Sequence, residues 1–88
     1  MALIGVFASA FGLACPDLRL FYDDLESEPT AVIEALDGLL EQCYTDSEFF
    51  ALSGAAHLGL GDLLRALESL ERALLLNPNN GAAAVDFA

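Results

Sequence analysis

The stretch from residue 47 to residue 60 constrains the fold more than any other part of the chain. Its predicted helix is apolar around nearly the whole circumference, at Phe49, Phe50, Ala51, Leu52, Ala55, Ala56, Leu58 and Leu60. A helix that is apolar on all sides must be covered on all sides. A single helical hairpin cannot cover it, whereas a stack of helices can. The pattern therefore predicts an all-α protein in which this helix lies inside a stack.

Three further helices are predicted around it. A helix at about 62–76 follows the turn at Gly61, has Asp62 as its N-cap and stops at Pro78. Its expected buried stripe is Leu63, Ala66, Leu67, Leu70, Ala73 and Leu74, and Glu68 and Arg72 have the spacing of a helix ion pair.

Upstream, an amphipathic helix is predicted at about 30–43 after Pro29, and a shorter one at about 17–26. Thr45 and Glu48 have the spacing of a capping box, which predicts that the next helix begins near Asp46 or Ser47. Each of the two upstream helices has an apolar stripe. The stripe of helix 30–43 is Val32, Ile33, Leu36, Leu39, Leu40 and Cys43, and that of helix 17–26 is Leu18, Phe21, Tyr22 and Leu25.

The uncharged segment 1–15 leaves three interpretations open. It has the spacing of a buried helix at Leu3, Ile4, Phe7, Phe11 and Ala14. It also has the length of the apolar core of an export signal, and the small residues at 8–10 suit a cleavage site, although no Lys or Arg precedes the run. A membrane anchor is the third interpretation, but a span needs about 20 apolar residues.

The charge balance restricts the class of partner. Three basic residues stand against fourteen acidic ones, for a net charge of -11. Such a chain repels phosphate backbones and anionic lipid headgroups. We therefore expect no nucleic acid partner and no membrane contact apart from a potential N-terminal export signal. A basic or apolar protein partner suits the charge better.

The two cysteines, Cys15 and Cys43, also leave two interpretations. Buried thiols that act as small apolar side chains are the expected state. A Cys15–Cys43 disulfide is the alternative, if the chain is exported to an oxidising compartment. With one His in the chain and no CxxC, the sequence predicts no metal site and no cofactor.

No pattern in the chain predicts an enzyme. The acidic pairs lie on polar helix faces, which is typical of solvated charges. His57, the only histidine, falls in the seam between the predicted helices 47–60 and 62–76, where a packed histidine is expected rather than a general base. The chain has neither a phosphate-binding glycine loop nor a nucleophile elbow.

Residues 47–80 form a unit of 34 residues, SEFFALSGAAHLGLGDLLRALESLERALLLNPNN. The unit resembles the tetratricopeptide repeat (TPR), which has this period. Ser53 and His57 stand where the family usually has Leu and Tyr. The residues that match the family pattern are Phe50, Gly54, Gly61, Asp62, Ala66, Leu70, Ala73 and Pro78.

The resemblance implies helical hairpins stacked as a short α-solenoid. Residues 16–46 are then a degenerate repeat or an N-terminal cap, and residues 81–88 begin a further repeat helix. Because about three repeats are needed for stability, the resemblance implies a piece of a longer protein. The apolar surface at the uncapped ends of such a piece could also be covered by self-association.

The family's usual function implies a protein-protein interaction module without enzymatic activity. Such a scaffold binds a peptide or protein through the concave face that the first helix of each repeat lines. By resemblance, the partner-binding positions are Glu48, Ala51, Leu52, Ala55 and Leu58, with Gly59 at the margin. These residues lack the Lys, Arg and Asn needed to clamp a C-terminal carboxylate. They suit an apolar partner or a neighbouring repeat.

Two locations follow from these expectations. A cytoplasmic scaffold is one, and a periplasmic segment of a bacterial envelope export or assembly machine is the alternative. The apolar N-terminus, the two cysteines and the absence of Lys support the alternative.

Overall fold

The computed structural model describes residues 14–81, and within them every regular element is helical. A 3₁₀ helix at Leu18–Asp24 is followed by four α-helices: α1 at Pro29–Asp37, α2 at Leu40–Cys43, α3 at Ser47–Gly59 and α4 at Leu63–Leu76. The all-α prediction is confirmed. The interpretations of segment 1–15 and of the further repeat helix at 81–88 lie outside the described residues, except at residues 14, 15 and 81. Ala14 is exposed and non-helical.

The antiparallel pair α3 and α4 is the centre of the fold. Ser47 contacts Ala73 and Ser53 contacts Ser69, so positions that rise along α3 fall along α4. Gly54 lies against Leu70 in the same seam. A Cβ atom on Gly54 would lie 2.6 Å from side-chain carbons of Leu70 and 3.3 Å from the Ala66 carbonyl oxygen. The helices therefore approach at a distance that only glycine permits at position 54.

The turn between α3 and α4 depends on Gly61. Its φ of 76° is in the left-handed region, which strains a residue that carries a Cβ atom. The Gly61 amide donates to the Leu58 carbonyl, and the Asp62 amide donates to the His57 carbonyl. This bond pattern is the Schellman motif, which ends a helix at a glycine. The Asp62 carboxylate then accepts from the Arg65 amide and begins α4.

The other side of α3 packs on α1 and the 3₁₀ helix. Phe49, Leu52 and Ala56 project to this side and are at most 3% exposed. They form a core with residues of the upstream helices, namely Leu18, Val32, Leu36 and Cys43. The two contact surfaces explain why α3 is apolar around most of its circumference.

The predicted helix 30–43 is broken at Gly38 and Leu39. The Leu39 amide donates to the carbonyl three residues back, at Leu36, as in a 3₁₀ turn. Because glycine weakens a helix, the interior position of Gly38 is a suitable point for the break. The break rotates Leu40 out of the predicted stripe and leaves its side chain 49% exposed. Cys43, at the end of the same stripe, is fully buried.

The caps and buried stripes differ from the predictions at several other positions. Asp46, and not Thr45, caps α3 by accepting from the amides of Glu48 and Phe49. In α4 the predicted stripe is only partly covered: Ala66, Leu70 and Ala73 are fully buried against α3, whereas Leu63 and Leu67 are exposed.

A disulfide joins Cys15 to Cys43, with their Cα atoms 4.8 Å apart. The expectation of two buried thiols was wrong, and the disulfide is the alternative that the sequence left open. It fixes the segment before the 3₁₀ helix to the end of α2. No described helix has both the length and the apolar character required to cross a bilayer.

Candidate protein-binding surface

One line along α3 stays open between its two contact surfaces. We call it the α3 strip and define it as Glu48, Ala55 and Gly59. These residues are seven and four positions apart, so they share one helix face. Glu48 and Gly59 are exposed, and Ala55 is half-buried. The strip is acidic at one end and carries small residues elsewhere, so a partner can approach the α3 backbone closely.

The structure places three of the predicted partner-binding residues away from this open surface. Leu52 is 1% exposed in the core shared with α1, and Ala51 is 5% exposed in a cluster with Leu70 and Ala73. Leu58 is half-buried against the same cluster. Their contacts are satisfied within the chain, because α3 packs from both sides. Of the predicted set, Glu48 and Ala55 remain available to a partner.

The 3₁₀ helix forms one wall of the strip. The Tyr22 hydroxyl donates a hydrogen bond to the Glu48 carboxylate, which orients the strip's only ionisable group. Partial burial and this carboxylate raise the pKa of Tyr22 to about 12, with burial the larger cause. At the other end, a Cβ atom on Gly59 would lie 3.6 Å from the Pro29 side chain.

A cavity of about 480 Å³ opens beside Glu48, between the 3₁₀ helix and the start of α3. Its only basic side chain, Arg19, bonds to the Asp17 carboxylate at 2.8 Å. This side-chain hydrogen bond is the main cause that lowers the pKa of Asp17 to about 2. Since Arg19 is already engaged, the cavity extends the acidic end of the strip.

The repeat-defining residues lie together in the α3–α4 hairpin. Gly54, Ala66, Leu70 and Ala73 meet in the seam, and Gly61 and Asp62 form the turn. Phe50 is half-buried at the edge of the seam, where its ring meets that of Phe49 at 5.0 Å in a T-shaped arrangement. Pro78 lies in the exposed turn after α4.

A polar contact at the end of the hairpin has no counterpart in the predictions. The Ser47 hydroxyl donates to the Ala73 carbonyl at 2.7 Å and accepts from the Asn80 side-chain amide at 2.8 Å. Asn80 is only 8% exposed. The contact joins the start of α3, the end of α4 and the following turn. The sequence signal for this contact is a Ser and an Asn at the two ends of the 34-residue unit.

His57 lies at the C-terminal end of α3 with its side chain 13% exposed. Its Nδ1 atom is buried and makes no hydrogen bond to the described residues, and it lies 3.9 Å from the Asp62 carboxylate. Among residues 14–81, no group of three or more His, Cys, Asp or Glu side chains is placed to hold a metal ion.

Comparison with known proteins gives one relative and no family model. The human protein named Protein SGT1 homolog is 32% identical to this chain over 59 residues, which is 67% of the chain. The same stretch is 16% of that protein, so the chain spans about a sixth of the relative's length. No model of a protein family matches, and no solved structure gives a significant match. The chain is thus an all-α protein similar to a segment of that relative.

Proposed function

We propose that the chain is a TPR-type protein-binding module that holds an apolar segment of its partner on the α3 strip. One observation carries the proposal. Helix α3 is packed by α4 on one side and by α1 on the other, and it stays open along the line of Glu48, Ala55 and Gly59. The TPR resemblance assigns these three first-helix positions to the concave face, with Gly59 at its margin. The human relative supports the proposal only as a protein of similar sequence over 59 residues.

The chemistry of the strip favours an apolar segment over a charged terminus. Ala55 and Gly59 offer no hydrogen-bonding side chain, and the Glu48 carboxylate repels a C-terminal carboxylate. A bulky apolar side chain can lie on this surface, because the small residues leave room beside the backbone. Basic groups flanking that side chain would find Glu48 and the acidic cavity next to it.

Site-specific photo-crosslinking tests this proposal. A photoreactive phenylalanine analogue at Ala55 is expected to capture one defined protein in cells that produce the chain naturally. The matched control is the same analogue at Ala31, an exposed alanine on α1 that is not part of the strip. Capture of the same protein to the same extent from Ala31, or no capture from Ala55, contradicts the proposal. A captured second copy of this chain would mean that the strip serves self-association instead.

The proposal also assigns the chain no catalytic activity. The only histidine is packed at the end of α3 and does not reach the strip or the cavity beside Glu48. A general base must lie within hydrogen-bond reach of the proton that it takes. His57 instead stands beside Asp62 at the hairpin turn, where its role is to pack the end of the helix.

The disulfide favours a second candidate, a periplasmic segment of a bacterial envelope export or assembly machine. Disulfides persist in oxidising compartments and are rare in the cytosol. The test is the intact mass of the chain after expression in a bacterium. Loss of about 10 to 14 N-terminal residues together with two hydrogens is expected if the chain is exported. An intact, fully reduced chain in the cytoplasm contradicts this candidate and leaves the cytoplasmic scaffold.

A further inference from the structure

A second concave surface lies on the opposite side of the hairpin from the α3 strip. We call it the outer groove, a cavity of about 490 Å³ between α2 and α4. Phe50 forms part of its wall, and Phe50 and Gly59 point to opposite sides of α3, because nine residues make two and a half turns. The groove is lined by Leu40, Tyr44, Phe50, Glu68, Glu71 and Leu75, with Ser69 and Arg72.

The outer groove exposes large apolar side chains. Leu40 is 49% exposed, Tyr44 58% and Leu75 74%. Leu40 faces the groove because the helix breaks at Gly38 and Leu39, and Leu75 lies outside the α3–α4 seam. Apolar side chains grouped in a concavity with a polar rim are typical of an interaction site.

The rim of the outer groove is acidic. Glu68 and Glu71 are exposed, and neither forms an ion pair with any described residue. The expected Glu68–Arg72 ion pair is not formed. Arg72 instead places its guanidinium carbon 5.6 Å from the centre of the Phe50 ring, a cation–π contact. The rim carboxylates are therefore available to a cation from outside.

The charge of the chain decides between the occupants of such a groove. A second copy would bring a net charge of -11 toward an acidic rim, and like charges across an interface are unfavourable. A basic partner gains from both the rim and the overall charge. The apolar floor requires that the partner also carry an apolar or aromatic side chain.

We propose that the outer groove is a docking surface for a short basic segment of another protein that carries one apolar or aromatic anchor residue. The anchor lies on Leu40, Tyr44 and Leu75, and the flanking Lys or Arg side chains pair with Glu68 and Glu71. The proposal is independent of the α3 strip, since the two surfaces lie on opposite sides of α3. The module can then hold two partners, or two segments of one partner, at once.

Peptide titrations followed by amide NMR shifts test the proposal on the full chain. The probes are three synthetic peptides: RKFLKR, the anchor-free RKGSKR and the acidic EEFLEE. RKFLKR is expected to bind and to shift the amides of Tyr44, Glu68 and Leu75, with little effect at Ala55. RKGSKR should bind at least about tenfold more weakly, and EEFLEE should not bind. No binding of RKFLKR, or shifts centred on Ala55, would overturn the proposal.

Charge reversal within the groove provides the matched variant. The double change Glu68→Lys and Glu71→Lys should weaken RKFLKR binding by about tenfold or more and allow EEFLEE to bind. The control is Glu26→Lys with Glu34→Lys, which changes the net charge equally at exposed positions outside the groove. If the control weakens RKFLKR binding as much as the groove variant, the attraction is due to net charge alone and the proposed site is wrong.

Discussion

Reduction of the Cys15–Cys43 disulfide is expected to lower the free energy of unfolding by about 3 to 4 kcal/mol. The bond closes a loop of 28 residues, and its loss restores conformational freedom to the unfolded chain. A chain of this size has a total stability on the order of 4 to 13 kcal/mol, so the loss is a large fraction. The midpoint of thermal unfolding should fall by roughly 10 to 30 °C on addition of a reductant.

The Cys15→Ala variant is the control for this experiment. Cys15 is half-buried, whereas Cys43 is fully buried in the core, so the change at Cys15 removes the bond with less loss of packing. The variant should unfold at the temperature of the reduced wild type, and the reductant should not change that temperature. Equal unfolding temperatures for oxidised and reduced wild type would show that the bond contributes nothing to stability.

The substitution Gly54→Ala is expected to destabilise the chain, although alanine is the better helix former. The new Cβ atom would overlap the Leu70 side chain at 2.6 Å, and Leu70 is fully buried. Over-packing of this kind costs about 1 to 3 kcal/mol, against a gain of about 1 kcal/mol in helix propensity. We expect a net loss of up to about 2 kcal/mol in urea unfolding, and no folded protein for Gly54→Leu.

Gly59→Ala is the matched control, because it makes the same change in the same helix. A Cβ atom there meets nothing closer than 3.6 Å, which is ordinary van der Waals contact. The gain in helix propensity should therefore remain, and the variant should be more stable than the wild type by up to about 1 kcal/mol. If both variants shift stability in the same direction, the close approach at Gly54 does not explain the effect.

The helical class and the position of the hairpin could be predicted because their signals are local. The all-round apolar character of residues 47–60 required a stack, and a glycine followed by an N-capping Asp62 indicated the turn. The seam could also be placed through the resemblance to the tetratricopeptide repeat, whose small-residue positions fall on Gly54, Ala66 and Ala73. Each of these features depends on neighbours within a few turns of the chain.

The features that sequence reasoning missed or left open depend on contacts between distant residues. Cys15 and Cys43 gave no spacing signal for a bond, because the pairing follows from how the 3₁₀ helix packs on α1. Leu52 has the repeat position of a groove residue, yet the core shared with α1 covers it. The outer groove could not be predicted for the same reason. Leu40 was expected in the buried stripe of its helix, and Arg72 was expected to form an ion pair with Glu68.

A double-mutant cycle between Gly54 and Leu70 is the most direct test of the close helix crossing on which the proposed module depends. Leu70→Ala removes the two side-chain carbons that a Cβ at position 54 would meet at 2.6 Å, and leaves the Ala66 carbonyl oxygen at 3.3 Å. We predict that Gly54→Ala becomes neutral or stabilising in the Leu70→Ala background, with a coupling free energy of about 1 kcal/mol or more. Free energies that add to within about 0.5 kcal/mol would contradict the crossing and, with it, the TPR-type hairpin.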